Sequence, residues 1–218
     1  MKYWIAILGV SFSIFLMLMA SGCVAFGAVA HKVMGPPWIP AKYVPPPEAS
    51  VVVLVEDYHR SSAYTDDEQI SRFVEEQMKG HLKSPVVDSS KVRELRLSKA
   101  DQFKTMTVAE VGRQVGAQQV IWVNVVERNI ESLLGGEQLR GDVSARVRVI
   151  DSKSGQTLWP MDMAEGYPLS SGVNFGSGTP TSEADMKQTL YHALGDKIAK
   201  LFYKWQPENE EPEGFTVQ

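Results

Sequence analysis

The sequence predicts an α/β (α+β) domain built on a mixed, partly parallel sheet, and three stretches carry this prediction. Residues 51–55 form an apolar, valine-rich run that is typical of a buried strand. Residues 120–126 are apolar on both alternating faces apart from Asn124, as in a strand covered on both sides. Residues 142–149 alternate small apolar with polar side chains. This pattern indicates a strand antiparallel to the 120–126 strand, with one face exposed to solvent. The expected order is β-α-β-α-β-β-β-α, in two or three layers.

The helices are predicted from their caps. Thr107 and Glu110 have the spacing of a capping box, and Gly116 has the character of a helix end. Asp88 or Ser89 can cap a short helix, and Ser182 can cap the last one.

Two further stretches complete the expected domain. Residues 84–87 have the character of a brief second strand before the short helix. Residues 167–181 are rich in glycine, serine and proline, and we expect them to be irregular.

Composition narrows the classes of protein. Of 218 residues, 44% are hydrophobic and 22% charged, which is ordinary for a folded soluble domain. A net charge of −4 argues against a nucleic-acid binder, which would show a basic patch. The single cysteine excludes an internal disulfide.

The N-terminus has the features of an export or anchor segment. Lys2 precedes an uncharged run, residues 4–20, and small residues stand directly before Cys23. This arrangement resembles a bacterial lipoprotein signal, which implies a signal peptide over 1–22 and a lipidated Cys23 as the first mature residue. The alternative is an uncleaved transmembrane anchor over 4–30, long enough to cross a bilayer core of about 30 Å. Both place the following domain on the periplasmic side of a membrane.

The expected organisation beyond this segment has three parts. A proline-rich linker covers 31–50, because proline lacks a backbone donor and fixes φ. The folded αβ domain covers 51–205, and an acidic tail over 206–218 is expected to be disordered.

Three blocks of the chain form a pattern that is found in other proteins: VVVLVED, VAEVGRQVGAQQVIWVNVVE, and ARVRVIDSKSGQTLW followed by a terminal amphipathic helix. Together they resemble the periplasmic αβ domain shared by the curli-secretion lipoprotein CsgG, the penicillin-binding-protein activator LpoB and the N-terminal domain of TolB. The resemblance covers about residues 50 to 205, and its motifs are structural. It implies a non-enzymatic accessory domain that binds a protein partner in the envelope.

Two groups of residues are candidates for function. Glu56, Asp57 and His59 follow the first strand, where open α/β sheets hold ligands, and such side chains can bind a metal or move protons. Leu133 and Leu134 are expected at the end of a hairpin, where exposed apolar residues mark a protein contact or fold back onto the sheet.

The sequence contains no GxSxG elbow, P-loop or HExxH motif. We therefore expect a membrane-anchored, non-enzymatic protein with no cofactor, which binds a protein partner and no nucleic acid. A small metal- or ligand-dependent enzyme using the loop with Glu56, Asp57 and His59 is the alternative. The oligomeric state and the partner stay open.

Overall fold

The computed structural model describes residues 36–57, 64–133, 138–175 and 182–207. These ranges contain five strands: β1 (Val51–Asp57), β2 (Gln119–Leu133), β3 (Gln138–Asp151), β4 (Thr157–Trp159) and β5 (Tyr167–Phe175). They also contain five helices: α1 (Tyr64–Lys79), α2 (Ser90–Ser98), α3 (Ala100–Phe103), α4 (Val108–Val115) and α5 (Glu183–Ala199).

The strands form one mixed sheet, as the sequence predicts. β1 pairs with β2 in parallel, and β2 pairs with β3 antiparallel. The other edge of β3 is shared by β5, along its amino-terminal half, and by β4 near its carboxyl end. The sheet is therefore mostly antiparallel, with one parallel pair formed through the helices that connect β1 to β2.

Helices cover both faces of this sheet, so the three-layer arrangement is the one found. On one face, Val52 and Leu54 of β1 share an apolar cluster with residues of α2 and α4. On the other face lie α1, which contacts β1, and α5, which contacts β3 and β5. α1 and α5 approach closely at Gly195, where a Cβ atom would lie 2.8 Å from the Cβ of Phe73.

The alternation predicted for β3 is confirmed. Its valines and alanine are buried, whereas Asp142, Ser144, Arg146 and Arg148 are half-exposed on the opposite side. Two predicted caps are also confirmed. Thr107 and Glu110 form a complete capping box for α4, and Ser182 forms one with Asp185 for α5.

Two predicted elements differ. Residues 84–87 form an isolated parallel bridge between Val86 and Val51, because the chain turns into α2 shortly afterwards. Residues 167–175, predicted as irregular, form β5. Proline is tolerated there because β5 is an outer strand, and Gly172 fits because a Cβ would lie 2.7 Å from Oδ1 of Asp142.

The proline-rich segment also differs from its prediction, because its second half belongs to the folded domain. The backbone N–H groups of Lys42 and Tyr43 donate to the carbonyl of Leu201 at 2.7 and 3.1 Å. The hydroxyl of Ser84 donates to the carbonyls of Pro45 and Pro46, each at 2.9 Å. Prolines keep their carbonyl acceptors, and here those acceptors are used.

Aromatic packing closes the same end of the domain. The ring of Trp159 lies 5.2 Å from that of Tyr167, 6.2 Å from that of Phe202 and 6.4 Å from that of Tyr43, between centroids. Trp159 is thus a packing residue.

The chain divides into a compact unit of Pro40–Lys204 and a second unit made of the residues up to Ile39 and from Trp205 onward. Within the described part of the second unit, Ile39 and Trp205 form an antiparallel bridge, and Gln206 donates to the carbonyl of Pro36 at 2.7 Å. None of the described helices is both long and apolar enough to cross a membrane. The predicted signal or anchor over 1–30 and the tail beyond residue 207 lie outside the described residues.

Candidate functional site

The candidate site is the carboxyl end of β1, where the sequence places Glu56 and Asp57. Successive side chains of a strand point to opposite faces of the sheet. Glu56 lies on the face covered by α2 and α4, and Asp57 on the face covered by α1 and α5. The structure therefore does not bring these two carboxylates together.

Glu56 is engaged with a tryptophan of the neighbouring strand. The indole Nε1–H of Trp122 donates to Oε2 of Glu56 at 2.7 Å. The guanidinium of Arg148 lies over the same indole ring, with Cζ 4.3 Å from the centroid. Glu56, Trp122 and Arg148 thus join three adjacent strands through one hydrogen bond and one cation–π contact.

Asp57 belongs to a charged cluster around Arg128, which we call the Arg128 cluster. Nη2 of Arg128 lies 2.5 Å from Oδ1 of Asp67, in a charge-assisted hydrogen bond. Nη1 of the same guanidinium lies 3.7 Å from Oδ2 of Asp66 and 3.8 Å from Oδ2 of Asp57. These two longer distances describe ion pairs without hydrogen bonds.

Tyr191 of α5 completes the Arg128 cluster. Its hydroxyl donates to Oδ2 of Asp66 at 3.0 Å, and its ring lies 5.5 Å from Cζ of Arg128. The side chains of Arg128, Asp57 and Asp67 are 13%, 6% and 7% exposed, so their mutual attraction is little screened by solvent. The cluster connects β1, α1, β2 and α5.

A β-bulge in β2 directs Arg128 into this cluster. The register between β2 and β3 shifts between Val125 and Glu127, so Val126 is an extra residue. Val125 opposes Ala145 and Arg128 opposes Val143, which both lie on the buried face of β3. Without the extra residue, the alternation along β2 would point Arg128 to the other face.

Burial sets the protonation behaviour of the cluster. Desolvation raises the pKa of Asp67 above its usual value, although the hydrogen bond from Arg128 acts in the opposite direction. Desolvation likewise raises the pKa of Tyr191, and the nearby Asp66 adds to that rise. The cluster holds three carboxylates against one guanidinium, and Asp67 is the carboxylate whose charged form burial disfavours.

A groove of about 520 Å³ lies beside the cluster, between α1 and α2. Leu54 and Val55 of β1 line its floor, and polar side chains of both helices line its walls. One wall is held in place by Glu75, which is 6% exposed, accepts the N–H of Ser89 at 2.7 Å and pairs with Lys79. The groove therefore runs along the edge of β1 that faces away from β2.

The remaining predicted site residues are placed as follows. Leu133 is the last residue of β2, so it does lie where that strand of the hairpin ends. Cys23, His59 and Leu134 lie outside the described residues. Within the described ranges, no group of three histidine, cysteine or carboxylate side chains is arranged to hold a metal ion.

Sequence reasoning missed Arg128, Asp66, Asp67 and Tyr191 as a group. Asp66 and Asp67 lie in the first turn of α1, where carboxylates are favourable for a purely local reason. The only signal for Arg128 is a cationic residue shortly after an apolar strand, and the bulge that turns it inward has no sequence signature.

Comparison with known proteins finds solved structures that are similar to this chain. No model of a protein family matches the chain, and no curated protein matches it. Lipoprotein GNA1162 from Neisseria meningitidis is similar, with 18% identity over 70% of this chain and 99% of that chain, and a TM-score of 0.41. Protein CT253 from Chlamydia trachomatis is 15% identical over 71% of this chain and 97% of its own, with a TM-score of 0.39.

A PelC dodecamer from Paraburkholderia phytofirmans is also similar, at 11% identity over 77% of this chain and 97% of that chain, with a TM-score of 0.41. The solved structures that this chain is similar to thus include a bacterial lipoprotein.

Proposed function

We propose that this protein is a membrane-anchored, non-enzymatic envelope lipoprotein, with a periplasmic αβ domain of the CsgG, LpoB and TolB kind that binds a protein partner. One observation carries the proposal: the charged groups at the carboxyl end of β1 are bound to the protein itself. Glu56 accepts a hydrogen bond from Trp122, and Asp57 pairs with Arg128. Polar groups at this edge of an α/β sheet commonly hold a ligand, and here they join structural elements.

The anchor is supported by the sequence. An uncharged run of residues 4–20 and small residues directly before Cys23 have the arrangement of a lipoprotein signal. With a lipid on Cys23, the domain would stand at the membrane surface, where a protein partner of the envelope meets it.

The enzyme alternative requires Glu56, Asp57 and His59 to act on one ligand. The opposite directions of Glu56 and Asp57 weigh against a shared metal or a paired acid and base at this position. A stoichiometric metal lost in His59→Ala would support the alternative, whereas identical thermal unfolding with and without a chelator would weigh against it.

The anchor is tested by metabolic labelling of cells with a palmitate analogue. We expect the wild-type protein to be labelled, and Cys23→Ser to remain an unlabelled precursor of higher mass. If the wild-type protein carries no label, the lipoprotein assignment fails and the uncleaved helix over 4–30 takes its place.

The partner is tested by crosslinking in intact cells, followed by purification of the full-length protein from membranes. We expect one envelope protein to be recovered together with the wild-type protein. The same protein should be absent when the purification is repeated from cells that lack the wild-type protein. Recovery of no protein above that background would contradict the proposed function.

A further inference from the structure

β1 is an outer strand of the sheet, and its first residue shows how its free edge is used. The N–H of Val51 donates to the carbonyl of Pro85 at 2.9 Å, and the carbonyl of Val51 accepts the N–H of Val87 at 2.8 Å. Both groups of Val51 therefore point away from β2. The chain then turns into α2, so the short segment of Pro85 and Val87 covers only the beginning of this edge.

The next two outward-pointing residues of β1 are Val53 and Val55. Backbone groups along a parallel strand alternate in direction, and the register between β1 and β2 is regular over its whole length. Among the described residues, no hydrogen bond reaches Val53 or Val55 from the outer side. Both residues are 1% exposed, and buried backbone donors and acceptors without partners are rare in folded proteins.

Of these two residues, Val55 lies at the groove between α1 and α2. Its volume of about 520 Å³ is that of a binding cleft, and Val55 is part of its floor. α1 covers one face of β1 and α2 covers the other, so an additional strand would lie between them in the plane of the sheet. It would displace two contacts that cross the groove, the hydrogen bond from the N–H of Ser89 to Glu75 and the ion pair of Glu68 with Arg93 at 4.0 Å.

The two walls of the groove differ in charge. The α1 wall carries four carboxylates against two cations: Asp67, Glu68, Glu75, Glu76, Arg72 and Lys79. The wall at α2 carries two arginines against one carboxylate: Arg93, Arg96 and Asp88. Because the side chains of a strand alternate between the two faces, a complementary strand would direct cationic side chains to α1 and anionic ones to α2.

We propose that this groove binds an extended peptide segment of the protein partner, which adds to the free edge of β1 as a further strand. The segment pairs with the outward backbone groups of Val55, and its side chains alternate between cationic and anionic. Backbone pairing supplies affinity and the two walls supply specificity, as in other cases of strand addition. This inference rests on the proposed partner-binding function and names the surface that performs it.

The probe is a fluorescent, acetylated and amidated hexapeptide of alternating lysine and glutamate, titrated by anisotropy against the full-length protein in detergent. We expect it to bind at least tenfold more tightly than the block isomer, in which the lysines precede the glutamates. Equal affinity of the two isomers, or no binding of the alternating peptide, would overturn the charge assignment.

Strand addition is tested on the peptide itself, which leaves the protein unchanged. In an added strand, every second backbone N–H points to β1 and the others point away. We therefore expect N-methylation of one alternate set of residues to weaken binding at least tenfold, and N-methylation of the other set to change it less than twofold. Equal effects of the two modifications would contradict pairing with β1.

On the protein side, Val55→Pro removes the N–H that faces the groove, and proline is tolerated on an outer strand edge. We expect it to weaken peptide binding at least tenfold, whereas Val55→Thr keeps the N–H and binds as the wild type does. If Val55→Pro fails to fold, the N-methylated peptides decide. A partner that crosslinks equally to the wild type and Val55→Pro would refute this groove while leaving the proposed function standing.

Discussion

The two ends of the β1–β2 strand pair are held by different kinds of contact. At the amino end, neutral groups hold the chain: the hydroxyl of Tyr43 donates to Oε1 of Gln119 at 3.1 Å, and the carbonyl of Leu201 accepts two backbone N–H groups. At the carboxyl end, the closure is charged, with Arg128 among three carboxylates. The neutral end should be indifferent to moderate changes of pH, whereas the charged end should respond to them.

The difference also concerns what happens when one member is removed. A neutral hydrogen bond contributes about 0.5–1.5 kcal/mol net, because water replaces the lost partner wherever it can reach. A buried charge that loses its partner has no such replacement, and breaking a buried ion pair costs about 3–5 kcal/mol. The charged end is therefore the more fragile of the two.

The largest effect is expected from Arg128→Ala. Removing the guanidinium leaves Asp57, Asp66 and Asp67 facing one another without a cation, so the free energy of unfolding at neutral pH should fall by about 3–5 kcal/mol. Protonation of the carboxylates should recover part of this loss at mildly acidic pH. Denaturant unfolding at neutral and at mildly acidic pH measures the loss of unfolding free energy.

Arg148→Ala is the matched control, because Arg148 lies on the same sheet but on the opposite face. Its guanidinium packs over Trp122 and donates to the carbonyl of Ala164 at 3.2 Å, at a half-exposed position. A cation–π contact of this kind contributes about 0.5–1 kcal/mol. Equal losses of unfolding free energy in the two variants would mean that the Arg128 cluster stabilises the fold no more than the contacts of Arg148 do.

The fold is largely predictable from the sequence, because its signals are local and periodic. The apolar runs that became β1 and β2, the alternation of β3 and the capping box at Thr107 each depend on neighbouring residues alone. Two failures have one cause. β5 and the segment 42–50 are held by partners distant in sequence, and their glycine, serine and proline content conceals this.

The candidate site was predictable only in part. Glu56 and Asp57 do lie at the carboxyl end of β1, but their opposite directions follow from alternation and from partners that sequence does not supply. Arg128 enters the site because a single extra residue, Val126, inverts the alternation of β2. The edge of β1 is left free because the segment after α1 pairs with β1 only at Val51. The extent of that pairing depends on tertiary structure, which local sequence does not reveal.

A smaller effect is expected from Tyr43→Phe at the neutral end. The change removes one hydroxyl and leaves Oε1 of Gln119, a buried residue, without that donor. An unsatisfied buried acceptor costs about 1–3 kcal/mol. The loss should be the same at pH 5 and pH 7.5, which thermal unfolding at the two pH values measures.

Tyr167→Phe provides the comparison for Tyr43→Phe. Tyr167 packs against the same Trp159 ring, and within the described ranges its hydroxyl makes no hydrogen bond. Its removal should change stability by less than about 0.5 kcal/mol, as surface substitutions usually do. A loss from Tyr43→Phe that varies with pH would show that the amino end is coupled to an ionisable group.

The smallest effect concerns the pH dependence contributed by Asp67. Burial raises the pKa of this carboxyl in the folded state above 3.8, so between the two pKa values the folded protein binds more protons than the unfolded chain. The contribution of Asp67 to stability is therefore fully present below about pH 4 and is lost as the pH rises through the folded pKa. Asp67→Asn keeps an oxygen for Arg128 and removes the titration, so the decline of stability above pH 4 should become shallower.

Asp88→Asn should act with the opposite sign, which makes it the control for Asp67→Asn. Hydrogen bonds from Ser90 lower the pKa of Asp88 below 3.8, so its contribution is present above that value and is lost as the pH falls through the lower folded pKa. Replacing Asp88 should therefore flatten the acid limb of the stability curve, while replacing Asp67 should flatten the limb above pH 4. Denaturant midpoints measured from pH 2.5 to pH 8 separate the two limbs. If Asp67→Asn leaves a profile parallel to that of the wild type above pH 4, the pKa of Asp67 is the same in the folded and unfolded states and burial does not raise it.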